Sequence, residues 1–409
     1  MNQPSPSLTI FAKGSSKAGS ERDRNEDAFL MAPEQGLYAV SDGIGGNKAG
    51  EVAAFIALEV VKQKMGEIKK DLDSLPKSHE GRRHLVENVE SALQSACAEI
   101  HQRAQEEDNL KGMGATCTML QFAGDKVVMG HVGHSAVYLF RDGILSKLSV
   151  NHTAVNELIE LGLVEPEDAP THHLRNILSR ALGFHKTVLV DTLVFTLLPG
   201  DRLLLCTDGV TRHTTPESLQ SALSHEGSIE ALQQHLDQVL PQDEGDDLTY
   251  IVMEVQAGDD AQAQEGTTFS SLVTQEMELM DEHYLTKGLK VSDKLRLLHS
   301  MKWKNIEADE VFQREGALYT EFALIIGTPL KVSKDGHAIP NIARTSWGEI
   351  ALLTPYTARY TLTATEETAA LTLSHGAFQQ LLKKRPRLAS ELLRRLGLHL
   401  LGLQTQDLP

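Results

Sequence analysis

Cysteine is scarce. Cys97, Cys117 and Cys206 are the only three in 409 residues, and they stand far apart. An odd, scattered set excludes a disulfide framework and a cysteine zinc site, and it points to a reducing, cytoplasmic setting. Long apolar runs are missing too. No stretch approaches the roughly 18 uninterrupted apolar residues of a membrane span, so no membrane partner is expected. The opening MNQPSPSLTIFAKGSSK lacks the basic start and apolar centre of a secretory leader. Positive charge is in short supply, with 39 Lys and Arg against 56 Asp and Glu, a net charge of −17. The deficit is local. Residues 271–409 hold 17 basic and 16 acidic side chains, which leaves 22 against 40 in residues 1–270. An acidic front half argues against a nucleic-acid partner, since phosphate backbones need cations. It permits a metal site built from carboxylates.

The length suggests two or three domains. The clearest seam is AGDDAQAQEGTTFS at 257–270, polar, small and aperiodic as a linker is. It separates residues 1–256 from 271–409. Ahead of it, 37–41, 117–122, 126–132, 137–140, 203–206 and 249–255 are apolar runs of strand length. Asp142-Gly143 between two such runs is a hairpin signal. Helical spacing recurs at Val52, Phe55, Ile56 and Val60, at Leu85, Val89, Leu93, Ala96 and Ile100, and at Ile229, Leu232, Leu236, Val239 and Leu240. Hairpin-linked strands with helices between them predict an α+β fold. Behind the seam, a helical stretch over 274–301 with a break near Gly288 precedes short strands at 310–314, 322–327, 330–332, 360–364 and 368–373. A terminal helix over 378–403 is expected to split at Pro386.

Acidic residues sit at the strand ends of the front half: Glu26 and Asp27, Asp42 beside Gly43, Asp208 beside Gly209, and Asp246. A single Asp-Gly is usually a turn, so the set carries the argument. Carboxylates gathered in one cleft repel unless cations lie between them. Oxygen donors without Cys or His favour Mg²⁺ or Mn²⁺, and a pair of such ions suits phosphoryl chemistry.

These residues resemble a known family. Arg22, Asn25, Glu26 and Asp27 match the opening R-x-x-N-E-D of the bacterial PPM (type 2C) metal-dependent serine/threonine phosphatases. Asp42, Gly43, Gly45, Gly46, Gly50 and Glu51 resemble its D-G-x-G-G and G-E. Gly112, Gly114 and Thr116, His131 to Gly133, Asn176 to Gly183, Asp208-Gly209 and Asp246 to Thr249 follow in the family's order. The resemblance covers about 10–256. It implies an α/β/β/α sandwich of two antiparallel sheets flanked by helices, acting on phosphoserine and phosphothreonine proteins. It makes Asp42 a bridge between two metals, held also by Glu26, Asp27, Asp208, Asp246 and the Gly43 carbonyl. It implies that Arg22 would bind the substrate phosphate, as a paired-donor guanidinium does. It also implies that a hydroxide shared by the metals would attack phosphorus in line. Arg24, offset from that position, reads as a solvated surface arginine.

The sequence also departs from the pattern. G-D-S-R becomes Gly133-His134-Ser135-Ala136, and the lost aspartate serves a third metal position in the family. His134 has two readings: a neutral nitrogen for a transition metal or a proton shuttle, or a third position weakened or lost. D-H-S becomes Asn151-His152-Thr153, D-N becomes Asp246-Asp247, and Ile44 replaces a histidine of some relatives. The stretch 153–175, with His172 and His173, resembles the family's mobile flap.

In the back half, Trp347-Gly348-Glu349-Ile350-Ala351 and then Arg359-Tyr360 resemble the F-G-E-x-A and R-x-A of cyclic nucleotide-binding domains over about 285–405. The resemblance implies a β jelly roll with flanking helices. It implies that Glu349 takes a ribose hydroxyl, that Arg359 takes the cyclic phosphate, and that the backbone from Gly348 to Ala351 cradles the same anion. Cyclic AMP or cyclic GMP is then a regulatory ligand. Tyr360-Thr361 in place of Ser-Ala crowds the phosphate, which leaves a nucleotide-free docking module as the other reading. Leu392, Leu393, Leu396, Leu400 and Leu403 form a stripe that packs on its own domain or forms a dimer. A DNA-binding role is not expected. The sequence thus reads as a phosphatase set by a C-terminal sensor. A docked phosphatase and a pseudophosphatase sensor are the alternatives.

Overall fold

The computed structural model describes residues 8–20, 22–45, 49–68, 79–240, 245–258, 277–328, 330–340 and 344–401. The chain divides into two compact units, residues 1–159 with 163–269, and residues 270–409 with 160–162. The linker expected at 257–270 lies outside the described residues from 259 onward.

The first unit is built on two antiparallel sheets. One runs in the order β1 (Leu8–Lys17), β11 (Leu248–Ala257), β10 (Arg202–Cys206), β7 (Ala136–Arg141), β8 (Ile144–Lys147). The other runs β2 (Asp27–Ala32), β3 (Leu37–Ile44), β5 (Cys117–Ala123), β6 (Lys126–Val132), β9 (Asp191–Thr196), with the short β4 (Gly114–Ala115) also on β3. β2 and β3 lie against β1, β10 and β11, so the sheets face each other. Asp142 and Gly143 both take positive φ, 51° and 77°, and close the β7–β8 hairpin as their sequence predicts. Asp335 and Gly336 make the same turn in the second unit, at 51° and 76°.

Helices cover the outer faces. α1 (Ala49–Glu67) and α2 (His79–Glu106) pack on the second-named sheet. The buried stripe of α1 is Ala53, Ile56, Ala57 and Val61, while Phe55 is 62% exposed and Val52 and Val60 are half-buried. Ile56, with Val52 and Val60 packed against the core, bears out most of the expected face, and Phe55 alone departs from it. A helix lying close to a sheet needs small residues at the contact, and alanine carries little weight in a reading based on hydrophobicity. On α2 the expected stripe holds, with Leu85, Val89, Leu93, Ala96 and Ile100 all buried. Each large one stabilises by about 1.5–3 kcal/mol. α3 (Ala154–Glu160) opens the flap-like stretch. α4 (Asp208–His213), α5 (Pro216–Leu223) and α6 (Ile229–Val239) follow β10, and the last two cover the first-named sheet through Leu219, Leu223, Leu232 and Leu236.

The second unit holds two four-stranded antiparallel sheets. One has the order β12 (Lys302–Ile306), β21 (Thr368–Ser374), β15 (Glu321–Ile326), β18 (Ser346–Trp347). The other runs β13 (Val311–Gln313), β20 (Thr361–Thr363), β16 (Lys331–Lys334), β17 (His337–Ile339). A two-stranded ladder joins β14 (Leu318–Tyr319) and β19 (Tyr356–Thr357). α7 (Val291–Ser300) precedes the strands, and α8 (His375–Lys384) and α9 (Pro386–Leu400) follow them. Pro386 stands in the first turn of α9, where its missing N–H costs nothing, so the split falls where expected. Leu388, Leu392 and Leu396 of α9 join the core of this unit, while Leu403 lies outside the described residues.

Candidate metal centre

The carboxylates converge where the ends of the two sheets meet. Asp27 opens β2 directly opposite Asp42 of β3. Asp208 follows β10, and Asp246 and Asp247 precede the neighbouring β11, so antiparallel pairing brings them to one edge. The turn from β6 to β7 crosses between the sheets and carries His134 to the same place. One ligand atom each from Asp42, His134 and Asp208 lies within 4.8 Å of the others. His134 Nε2 stands 3.3 Å from Asp208 Oδ2 and 3.7 Å from Asp42 Oδ2. An imidazole in the cluster departs from the oxygen-only donor set expected from the carboxylates alone.

Hydrogen bonds fix this arrangement. Thr207 Oγ1 donates to Asp27 Oδ2 at 2.7 Å. The Asp42 N–H donates to Thr116 Oγ1 at 2.9 Å, and the Thr116 N–H returns to the Asp42 carbonyl at 2.8 Å. Asp247 is buried, and its two oxygens accept from the N–H groups of Gly19 and Glu26 at 2.9 and 2.8 Å. It therefore stitches the loop before β2 to the start of β11. A Cβ on Gly43 would sit 2.0 Å from the Gly50 carbonyl oxygen, and one on Gly209 would sit 2.0 Å from that of Asp247. Only glycine fits at either point. Gly133 takes φ 111° beside Thr116, and its N–H donates to His152 Nδ1 at 3.1 Å. Arg180 reaches both His152 and Asp191, so the Asn176–Gly183 motif braces the turn that carries His134.

Two guanidiniums border the cluster. Arg22 donates to Asp246 Oδ1 at 2.8 Å and to Glu26 Oε2 at 3.3 Å. Arg212, one turn into α4, pairs with Asp208 and with Asp246 Oδ2, the latter at 2.6 Å. Arg24 meets exposed Glu51, as a surface arginine would. Sequence reasoning missed Arg212, Asp247 and Thr207. Each stands one to four residues from a predicted ligand, but only the folded sheet edge shows what it touches. Gly46 lies outside the described residues. His172 and His173 stack on each other at 4.5 Å.

The electrostatics are those of a site built for cations. Burial holds the carboxyls of Asp27 and Asp42 well above the usual range; repulsion from Asp247 and Asp208 adds to the rise at Asp27, and repulsion from Asp27, Asp208 and Asp246 adds to it at Asp42. Burial also raises Glu26 and lowers His134. Left alone, such groups would shed charge, whereas a divalent ion restores the ionised form. The donor set therefore fits a hard or borderline divalent metal.

In the second unit, Gly348 takes φ 79°, and its Cβ position is blocked by the Glu321 carbonyl oxygen at 2.2 Å. The short helix Glu349–Leu352 follows, with Ala351 buried and Ile350 42% exposed. Glu349 Oε1 accepts from Ser346 Oγ at 2.7 Å. Arg359 is exposed. Tyr360 is half-buried and packs against the core that includes Phe312 and Leu362.

Two facing sheets whose acidic ends enclose a candidate cation site, bordered by arginines, are the architecture of a metal-dependent phosphohydrolase. The chain belongs to the protein phosphatase 2C family, which residues 15–244 match, and it is a serine/threonine protein phosphatase of that family. It is similar to the serine/threonine phosphatase stp of Listeria innocua, with 32% identity over 218 residues, 52% of this chain and 82% of the relative. Among solved structures it resembles the phosphatase Stp1 of Staphylococcus aureus at 29% identity and TM-score 0.54, over 62% of this chain and 98% of that one. It also resembles the catalytic domain of the phosphatase PstP, solved with two manganese ions, at 28% identity and TM-score 0.51, over 61% and 99%. No helix among the described residues is long and apolar enough to cross a membrane.

Proposed function

We propose that the first unit hydrolyses phosphoserine and phosphothreonine in proteins, and that the second unit sets this activity by binding a small ligand. The observation that carries the first part is the meeting of Asp27, Asp42, Asp208 and Asp246 with His134 at one sheet edge. Asp42 stands central to the cluster, between its pairing partner Asp27 and the His134–Asp208 side. It is the residue that would join two Mn²⁺ or Mg²⁺ ions. Asp208 and Asp246 would hold one side, and Glu26, Asp27 and the Gly43 carbonyl the other. Bound metal supplies charge neutralisation and a water of lowered pKa. Arg22, anchored by Glu26 and Asp246, presents its remaining N–H donors to the phosphoryl oxygens. Water and the phosphomonoester yield the free hydroxyl and inorganic phosphate.

For the second unit, the reading rests on Glu349, which opens a short helix after a left-handed glycine, and on exposed Arg359 further along the chain. Cyclic AMP and cyclic GMP are the ligands of first choice. A ligand there acts only by binding two states of the protein unequally. The test is hydrolysis of a phosphothreonine peptide in Mn²⁺, with and without each nucleotide, for the wild type, Asp42→Asn and Arg359→Ala. Asp42→Asn should cost at least a thousandfold in turnover while the fold is retained by circular dichroism. Turnover surviving in that variant, or in excess chelator, would refute the metal mechanism. A nucleotide response that disappears in Arg359→Ala supports the sensor. Turnover indifferent to both nucleotides makes the second unit a docking module. No turnover at all makes the chain a pseudophosphatase.

A further inference from the structure

His134 is 7% exposed and is aimed at two carboxylates. Its other ring nitrogen, Nδ1, is buried and has no hydrogen-bond partner among the described residues. The ring therefore meets its surroundings through Nε2, which faces the two carboxylates. Its backbone is fixed. The Gly133 N–H is held by His152, the His152 N–H by the Gly133 carbonyl at 2.8 Å, and Ser135 Oγ shares a 2.8 Å hydrogen bond with Thr116 Oγ1. Thr116 is the residue that also holds the Asp42 main chain. A braced turn that aims a buried ring at two carboxylates is how a ligand donor is held.

The donor spacing agrees. Around a small divalent ion about 2.1 Å from each donor, adjacent ligand atoms stand about 3.0 Å apart and opposite ones about 4.2 Å. The separations of Nε2 from Asp208 Oδ2 and Asp42 Oδ2, 3.3 and 3.7 Å, fall between these limits.

We infer that His134 Nε2 is a direct nitrogen ligand to a metal ion shared with Asp42 and Asp208, and that it biases this centre away from Mg²⁺ toward first-row transition ions. The inference rests on the carboxylate centre proposed above. The bias follows from donor chemistry. Carboxylate and water suit Mg²⁺ and Mn²⁺ alike, whereas Mg²⁺ takes imidazole poorly.

Electron paramagnetic resonance of the full-length protein titrated with Mn²⁺ alone provides the test. The loss of free-ion signal reports binding, and electron spin-echo modulation of the bound ion reports directly coordinated ¹⁴N. The wild type should bind Mn²⁺ and show ¹⁴N modulation, and the pattern should change to that of ¹⁵N when only histidine is ¹⁵N-labelled. His134→Asp should still bind Mn²⁺ without that modulation, and its preference for Mn²⁺ over Mg²⁺ in competition should fall by about tenfold. The labelled wild type keeps the test decisive if the variant does not fold. Bound Mn²⁺ with no histidine nitrogen coupling, or coupling that persists in His134→Asp, would overturn the inference and leave the carboxylate centre standing. A wild type that takes up no Mn²⁺ would overturn both.

Discussion

The two units bury polarity in opposite ways. At the sheet edge of the first, charges of one sign crowd together. Asp27, Asp42 and Glu26 all carry raised carboxyls, and the available cations, Arg22 and Arg212, are shared out among Asp208, Asp246 and Glu26. In the second unit the buried atoms without partners include His283 Nε2, Tyr284 Oη, Tyr319 Oη and Trp347 Nε1, all on groups neutral at pH 7. Charge there is paired with its opposite, as where buried Lys294 meets Asp281 and where Arg394 and Arg395 draw Glu391 down to about 2. A fold tolerates a neutral group without a partner at modest cost, but like charges buried together need something from outside the chain. The first pattern therefore specifies a ligand class, and the second does not.

The glycines sharpen the contrast and give the largest effect. Gly43→Ala drives a methyl group into the Gly50 carbonyl oxygen at 2.0 Å, backbone against backbone. It should destabilise the first unit by more than about 3 kcal/mol, read as loss of its unfolding transition in calorimetry. A merely milder Tm shift with full metal binding would show that the β3–α1 junction can yield.

The next effect belongs to the second unit and to pH. Burial lowers His283 to about 4. Its Nδ1 accepts from the Leu285 N–H, so the neutral ring is the folded form. Between about 6.5 and 4 the unfolded chain binds the proton and the folded one does not. Stability is therefore complete above pH 6.5 and falls with acid, by up to about 3 kcal/mol once below pH 4. Both tryptophans, Trp303 and Trp347, lie in this unit, so their fluorescence in urea reads it alone. His283→Phe should flatten the pH slope over that window. An unchanged slope would assign it to another group.

A smaller effect tests whether Arg212 holds carboxylates meant for a metal. It bridges Asp208 and Asp246, so a cation bound there must displace it. Arg212→Ala should tighten Mn²⁺ binding by about 3–10-fold, equivalent to roughly 1 kcal/mol, in calorimetric titration. It should also lower the Tm of the metal-free protein by leaving the two carboxylates opposed. Weaker metal binding in the variant would mean that Arg212 supports the centre.

Much of this was legible in the sequence, for reasons that differ by residue. Asp42 and Asp208 could be read because each ends an apolar run beside a glycine, a local pattern. The hairpin at Asp142-Gly143 and the helix break at Pro386 follow from backbone restrictions of single residues. β1 and β2 were not read, because half-buried edge strands such as LTIFAKGSSK carry weak alternation. The contacts of Asp247 and Arg212 were not legible at all. They depend on β10 and β11 being neighbours, which no local spacing encodes. In the second unit the strands at 322–326 and 368–373 were plain from their apolar runs, while the two-residue pieces at 318–319 and 346–347 exist only through their partners.

The smallest effect is the mirror of Gly43→Ala. Gly397 lies within α9, and a Cβ there would meet nothing within 4 Å among the described residues. Its carbonyl accepts from the Leu401 N–H in the regular helical pattern, so the backbone places no demand for glycine. Alanine at such a site removes freedom from the unfolded chain and adds helix propensity without a clash. Gly397→Ala should therefore stabilise the second unit by about 0.5–1 kcal/mol, visible as a higher urea midpoint in tryptophan fluorescence. Phosphatase turnover in Mn²⁺ should be unaffected. The same substitution thus disrupts the fold at the metal centre and improves it on the last helix. A destabilised Gly397→Ala would instead show that this side of α9 is covered.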